Sequence, residues 1–286
     1  MNVKAYAKVN LTLEVLGKRD DGYHEIVSVM QTVDLADEIS FEANSSLMLA
    51  GDTVGVAAEG NLVLVAATAL REALKEQRGA KITLRKNIPI AAGLGGASTD
   101  AAATLLGLAR FWGVNLSIRD ARPLAAGLGS DVTFFLYGGT ALAEGRGENI
   151  SPLHPVRETW LVLAKPPIDV PGKTARLYGS LTKDSYSQGQ ASRELVMALR
   201  SGKPLTRERL FNVFESVAYT VFPGLGGFRD RLLKAGAPAV HLAGSGPTLF
   251  AIMDDASSAM NLQQRLAAER IRAFVVKTVA STYNRI

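Results

Sequence analysis

The strongest constraint on how this chain can fold is a run of small residues set between two patterned stretches. It reads Pro89-Ile90-Ala91-Ala92-Gly93-Leu94-Gly95-Gly96-Ala97-Ser98-Thr99-Asp100. Before it, residues 81–86 alternate apolar and polar, which predicts a strand. After it, Ala101, Leu105, Leu108 and Trp112 recur at helical spacing, so the glycines open a helix. Glycine lets backbone N–H groups approach an anion closely, and the following helix offers unpaired N–H groups and the positive end of its dipole. Ser98 and Thr99 add hydroxyl donors. The segment is therefore a chemically sensible phosphate cradle, although a tight turn with a helix cap satisfies the same pattern. It is not a Walker A loop, because no Gly-Lys-Ser/Thr follows, and it lacks the dinucleotide-binding spacing. Gly224-Leu225-Gly226-Gly227 and Gly127-Leu128-Gly129-Ser130 look similar locally. The first lacks the leading proline and the Ser-Thr exit and reads as a plain turn. The second immediately precedes Asp131.

The rest of the chain supports a mixed architecture. Residues 3–15 alternate with period two, Asp20-Asp21-Gly22 signals a turn, and residues 25–34 form a second strand-like stretch. Residues 61–76 read as a helix with Asn61 as N-cap and Leu62, Val65, Ala66, Ala69, Ala73 and Leu74 on its apolar face. Pro152 and Pro155 interrupt the patterns, so the boundary between two domains, 1–152 and 153–286, is expected there. Beyond it come a short strand at 160–163, an irregular loop around Pro166-Pro167 and Pro171-Gly172, and a helix over 205–221. Two apolar strands within 239–253 are broken by Gly244-Ser245-Gly246, and a helix at 256–270 and a strand at 273–279 follow. Strands and helices alternate without the regular spacing of a parallel sheet, so the expected fold class is α+β with two domains.

Composition narrows the chemistry. The 286 residues include no cysteine, which excludes disulfides, thiolate zinc sites and cysteine nucleophiles. Residues 1–11 hold no apolar run of signal-peptide length and no stretch reaches membrane-spanning length, so a cytoplasmic protein without a membrane partner is expected. The net charge of +5 suits an anionic ligand. The basic residues are scattered rather than blocked, which favours a phosphorylated small molecule over nucleic acid.

The pattern Pro-x-x-x-Gly-Leu-Gly-Gly-x-Ser/Thr resembles the phosphate loop of the GHMP kinases, named for galactokinase, homoserine kinase, mevalonate kinase and phosphomevalonate kinase. Gly129-Ser130-Asp131-Val132-Thr133-Phe134-Phe135-Leu136 is similar to the segment that carries their acidic residue. Leu242-Ala243-Gly244-Ser245-Gly246-Pro247-Thr248-Leu249-Phe250 is similar to their third glycine motif. The resemblance spans nearly the whole chain. It implies an N-terminal ribosomal-protein-like α/β domain, a C-terminal ferredoxin-like α+β domain, and ATP and Mg2+ as cofactors. Ala7-Lys8-Val9-Asn10-Leu11-Thr12-Leu13 and Arg19-Asp20-Asp21-Gly22-Tyr23-His24-Glu25-Ile26 narrow it to the branch whose acceptor is a cytidine-diphosphate sugar alcohol of the non-mevalonate isoprenoid route.

Carried over residue by residue, the resemblance implies that Lys8 and Asp131 are the catalytic pair, with Asn10 beside them facing the substrate. Tyr23 would stack on cytosine and His24 bond its polar edge. Thr174 and Tyr178 would form the second wall of that pocket. Asn61, Leu62 and Lys86 resemble positions near the adenine. Ala91 and Ala92 stand where glycine is common in the family, and Thr99 where serine is common. The metal ligands are not legible, with Ser98 or Thr99 as candidates. Each residue also has a plainer reading: Lys8 as a solvent-facing lysine, His24 as polar surface, Tyr23 as core, Asp131 as a helix cap. His154 and His241 read as structural. Another GHMP kinase, such as a homoserine kinase, and a non-catalytic nucleotide- or RNA-binding module on the same fold remain alternatives. Asp-Gly-Tyr-His argues against the first, and the presence of both Lys8 and Asp131 against the second.

Overall fold

The computed structural model describes residues 1–52 and 60–280. Two long strands, β1 (Asn2–Lys18) and β2 (His24–Glu42), form an antiparallel hairpin that organises the molecule. Both run past the stretches that alternation predicts. The turn between them is closed by Arg19 and Tyr23 backbone bonds, with Gly22 at φ 85° and Asp21 accepting from the Tyr23 N–H. The β1–β2 register shifts between Tyr6 and Lys8 and again between Asn10 and Thr12. These bulges flank Lys8 and Asn10, and the Lys8 N–H bonds the Leu94 carbonyl of the glycine-rich segment instead.

The hairpin lies in a seven-stranded sheet. β3 (Leu47–Gly51) and β4 (Ala80–Arg85) extend it beyond β2. β5 (Thr140–Gly145) also pairs with β2, and β6 (Asn149–Pro152) with β5. The two-residue β8 (Phe211–Asn212) pairs in parallel with β1 at Thr12 and Leu13. Helices α1 (Leu62–Leu74), α2 (Gly96–Phe111), α3 (Ile118–Leu128) and α4 (Ser130–Tyr137) pack together beside this sheet. A second, antiparallel sheet has the order β11-β7-β10-β9. Its strands are β7 (Trp160–Ala164), β9 (His241–Leu242), β10 (Leu249–Met253) and β11 (Ala273–Lys277). Helices α5 (Lys173–Ser180), α6 (Gln190–Arg200), α7 (Glu215–Val221), α8 (Leu225–Lys234) and α9 (Ala256–Ala268) complete the second half. Mixed strand directions and separate helices and sheets make this an α+β fold, as the irregular spacing predicts.

Three apolar clusters form the core. One lies under α1 to α4 and holds Phe41, Phe134 and Trp112. The second joins Leu13, Val15 and Ile26 of the hairpin to Phe214, Phe222 and Leu249 of the second half. The third joins Ala7, Val9 and Leu11 to Leu161, Leu195 and Phe250. β1 is thus buried on both faces from Ala7 to Val15. Alternation of polar residues on a strand normally signals solvent on one side, but here the second half covers that side, and Lys8 is only 4% exposed.

Several expectations are corrected. The stretch 205–221 is one helix in sequence pattern but three pieces in the structure: a short 3-10 turn at Arg207–Arg209, then β8, then α7. Pairing with β1 draws Phe211 and Asn212 out of the helical path. The α1 face is rotated. Asn61 caps the helix by accepting from the Val63 N–H, but the buried residues are Val63, Ala66, Ala67 and Leu70, and Val65 is exposed. This helix is apolar around most of its girth, so the spacing fits two faces and packing against α2 selects one. Gly224 to Gly227 is not a plain turn but the start of α8, with Gly224 as N-cap.

Candidate active site

The site is assembled on β1. From the residues around its bulges, the Lys8 ammonium reaches inward, donating to Asn10 Oδ1 at 2.7 Å. Asn10 Nδ2 donates to Ser28 Oγ, and Ser28 to the Thr12 carbonyl, so Asn10 is held with its oxygen toward Lys8. Asp131, in the first turn of α4, lies 3.3 Å from the Lys8 ammonium. Its helix begins after Gly129, so Asp131 is not the cap residue, and its carboxylate sits at the positive end of the helix dipole. The Lys8 side chain is 5% exposed and that of Asp131 is 40% exposed: the acid is open to a ligand and the ammonium is sheltered behind it.

The glycine-rich segment wraps against the same point. Gly93 and Gly95 take φ of 82° and 74°, and Ala91 a left-handed 53°. A β-carbon on Gly95 would come within 2.6 Å of the Phe135 ring and 3.2 Å of Lys8 Cγ. A β-carbon on Gly93 would come within 2.3 Å of the Ala243 carbonyl. The backbone needs glycine at both positions. Gly95 caps α2 without a side-chain hydrogen bond, which leaves the first N–H groups of a 16-residue helix without a capping side chain. Ser98 faces the open space, whereas Thr99 is buried within the fold. The third glycine motif, between β9 and β10, presses on this loop. Asn212 holds it by donating to the Leu242 and Gly244 carbonyls, and a β-carbon on Gly244 would lie 3.1 Å from the Lys8 ammonium.

A cavity of about 790 Å³ connects these parts. Lys8, Gly93, Gly95, Ser98, Asp131, Gly244 and Ser245 line it together with the aromatic residues Tyr23, His24, Tyr178 and Phe214. The His24 ring stacks on Tyr178 with centroids 4.6 Å apart, and Tyr178 meets Phe214 edge-on. Burial and the nearby Lys18 charge hold His24 below its ordinary pKa, so it is a neutral imidazole with one donor and one acceptor near pH 7. Burial and Asp131 push the Tyr178 hydroxyl up to about 12. Tyr23 is exposed at the rim with the Arg146 guanidinium 4.9 Å over its ring. Thr174 lines the wall and meets Ser245 Oγ at 3.1 Å.

Asn61, Leu62 and Lys86, read from sequence as positions near an adenine, are not among the residues lining this cavity. Asn61 caps α1, and Leu62 packs against the first core cluster. The Lys86 ammonium is held by Asp37 at 2.5 Å and Asp100 at 2.6 Å, beneath Gly96. Lys18 and Arg146 line the cavity without having been singled out in the sequence. Arg146 follows the Glu144-Gly145 end of β5, and no local motif marks it. A second concavity of about 880 Å³, lined by Pro167, Arg176 and Pro223, shares Gly179 of α5 with this one.

A buried lysine beside an accessible carboxylate, glycine-lined helix N–H groups and an aromatic slot in one cavity suit phosphoryl transfer to an alcohol. Residues 61–139 match the model of the GHMP kinases N terminal domain, and residues 198–272 that of the GHMP kinases C terminal domain. The chain is 42% identical over 280 residues to the 4-diphosphocytidyl-2-C-methyl-D-erythritol kinase of Dehalococcoides mccartyi, covering 98% of each. It is 33% identical to a crystal structure of 4-(cytidine 5'-diphospho)-2C-methyl-D-erythritol kinase, with a TM-score of 0.83 over 97% of this chain and 99% of that one. A homoserine kinase structure from Cytophaga hutchinsonii is 20% identical with a TM-score of 0.67, over 98% of this chain and 95% of that one, a likeness of fold alone. The chain belongs to the GHMP kinases and, within them, to the 4-diphosphocytidyl-2-C-methyl-D-erythritol kinase family. Membership makes ATP its phosphate donor. No helix among the described residues is long and apolar enough to cross a membrane.

Proposed function

We propose that this cavity transfers the γ-phosphoryl group of ATP to the 2-hydroxyl of 4-diphosphocytidyl-2-C-methyl-D-erythritol, in the non-mevalonate route to isopentenyl diphosphate. The observation that carries the reading is the Lys8–Asp131 pair, 3.3 Å apart, set between the glycine loop and the aromatic slot. An alcohol is a weak nucleophile, and a placed carboxylate can take its proton. In the proposed step the acceptor oxygen bonds the γ-phosphorus. The bond from that phosphorus to the bridging oxygen breaks, and its electron pair leaves with ADP. The hydroxyl proton goes to Asp131. Lys8 steadies the negative charge that builds on the attacking oxygen.

The glycine loop and the first turn of α2 hold the phosphates through backbone N–H groups. The slot of Tyr23, His24 and Tyr178 takes the cytosine, with the neutral His24 ring presenting a donor and an acceptor to the base edge. The halves 1–152 and 153–286 then act as two domains that meet at the cavity. Magnesium ions bound with nucleotide phosphates take one or two protein oxygens and several waters. The oxygen donors here fit that demand: Ser98 and Asp131 both line the cavity, and no cluster of three acidic or histidine side chains among the described residues forms a separate cage. Ser98 would hold the ion, which neutralises phosphate charge when bound.

The test is turnover with ATP across an acceptor panel. The cytidylylated methylerythritol should react, while free methylerythritol, its phosphate and homoserine should be poor acceptors. Equal turnover of homoserine would move the chain to another branch of its superfamily.

A further inference from the structure

Lys173 is a half-buried cation in an unfavourable place. It is the first residue of α5, after Gly172, where the helix dipole opposes positive charge. Its ammonium donates to the Gly246 carbonyl of the third glycine motif, and no carboxylate stands within ion-pair distance of it among the described residues. The next two residues, Thr174 and Ala175, line the cavity. Gly246 in turn packs on the phosphate loop, where its backbone nitrogen would meet a Gly93 β-carbon at 2.8 Å. In the same motif, the Gly244 β-carbon position is 3.1 Å from the Lys8 ammonium. Two lysines thus lie against one glycine turn that packs on the phosphate loop. Lys8 has Asp131 as its counter-charge, and Lys173 has none at contact distance.

We propose that Lys173 contacts the phosphoryl group in flight, as a second cation opposite Lys8, once that group lies between the phosphate loop and the acceptor. This deepens the functional reading above and rests on it. The chemistry follows from the placement. Phosphoryl transfer leaves negative charge spread over the non-bridging oxygens, and a fixed cation aimed at them stabilises the transition state more than the ground state. Lys173 makes and breaks no covalent bond. The groups that face its ammonium are Lys8 from β1, and Lys165 and Asp169 from the segment before α5. Burial and the two lysines outweigh Asp169 and hold its pKa down at about 8, so the site without an anion is short of negative charge at that position.

The test compares Lys173→Met and Lys173→Arg with the wild type. Removing one such donor typically costs kcat about a hundredfold or more, so Lys173→Met should lose kcat on that scale, with little change in KM for ATP or acceptor and an unaltered melting temperature. Lys173→Arg should recover much of the loss. The wild-type kcat/KM should fall as pH rises through about 8, where the ammonium of the free enzyme loses its proton, and this fall should be missing in Lys173→Arg, because guanidinium keeps its charge. A readout independent of the acceptor is binding of ADP with and without aluminium fluoride, a mimic of the group in flight. Lys173→Met should bind ADP normally and the fluoride complex at least about tenfold more weakly. Wild-type failure on the acceptor panel, with the fluoride result intact, would overturn the acceptor assignment and leave Lys173 supported. Equal fluoride-complex binding by Lys173→Met and wild type would overturn the proposal, as would a Met variant with wild-type kcat.

Discussion

Asp131 and Lys8 lie 123 positions apart in the chain, and the proposed reaction depends on their 3.3 Å meeting. Asp131→Asn keeps the shape and the α4 start while removing the proton acceptor. General acid–base groups contribute roughly 10²–10⁴ in rate, so kcat should fall at least about a hundredfold while both substrates still bind by calorimetry. Lys8→Ala should also depress kcat, and the double variant should lose far less than the product of the two single losses, because the pair acts as one unit. A mild Asp131→Asn beside a severe Lys8→Ala would mean that Asp131 acts through charge alone. At this scale Asn10 explains why Lys8 points inward: its amide is fixed by Ser28, and its oxygen accepts a hydrogen bond from the lysine ammonium. The glycines answer a steric demand, since side chains at Gly93 or Gly95 would collide with the Ala243 carbonyl or the Phe135 ring.

The glycine-rich loop as an element is pinned at both ends by one buried cluster. Asp37 on β2 accepts from the Asn87 and Ile88 N–H groups where the loop begins. Lys86 joins Asp37 to Asp100, one turn into α2 where the loop ends. Two carboxylates share one ammonium. Burial outweighs Lys86 and pushes the Asp100 carboxyl up to about 7. Its folded pKa lies above the ordinary carboxylate value of about 4, so the folded protein keeps a proton that the unfolded chain has lost. That contribution to stability is present at low pH and is lost as pH rises from about 4 to about 7. Asp100→Asn should flatten this part of the stability profile relative to wild type, measured as denaturation midpoints at pH 5 and pH 8. An unchanged difference between the two pH values would show that Asp100 is ionised throughout. The strand, glycines and helix of this element were all legible in the sequence because each follows a local period or a local steric rule. The Asp37–Lys86–Asp100 cluster was not, because its members come from three elements joined only by the sheet and helix packing.

For the molecule as a whole, the division at 152/153 separates sequence patterns more cleanly than it separates cores. β8 crosses it to pair with β1, Glu14 of β1 accepts the Ser192 N–H at the start of α6, and two of the three apolar clusters draw on both halves. A fragment of residues 1–152 would expose Ala7, Val9, Leu11 and Val15 along β1. It should show no cooperative thermal transition alone, and one should return when residues 153–286 are added. A fragment that melted cooperatively by itself would make the first half an independent domain. What the sequence by itself determined were the strand–glycine–helix unit, the mixed architecture and the residues of the Lys8–Asn10, Tyr23–His24, Asp131 and Gly244–Gly246 motifs. The first two rest on local periods and steric rules, and the motif residues on their resemblance to the GHMP kinases. Only the tertiary structure decided which face of α1 is buried, that residues 205–221 break around β8, that Lys8 is sheltered rather than solvated, that Arg146 lines the cavity, and that Lys173 meets the third glycine motif. These depend on surface burial and charge pairing between segments far apart in the chain, and no local pattern encodes which distant segment will arrive.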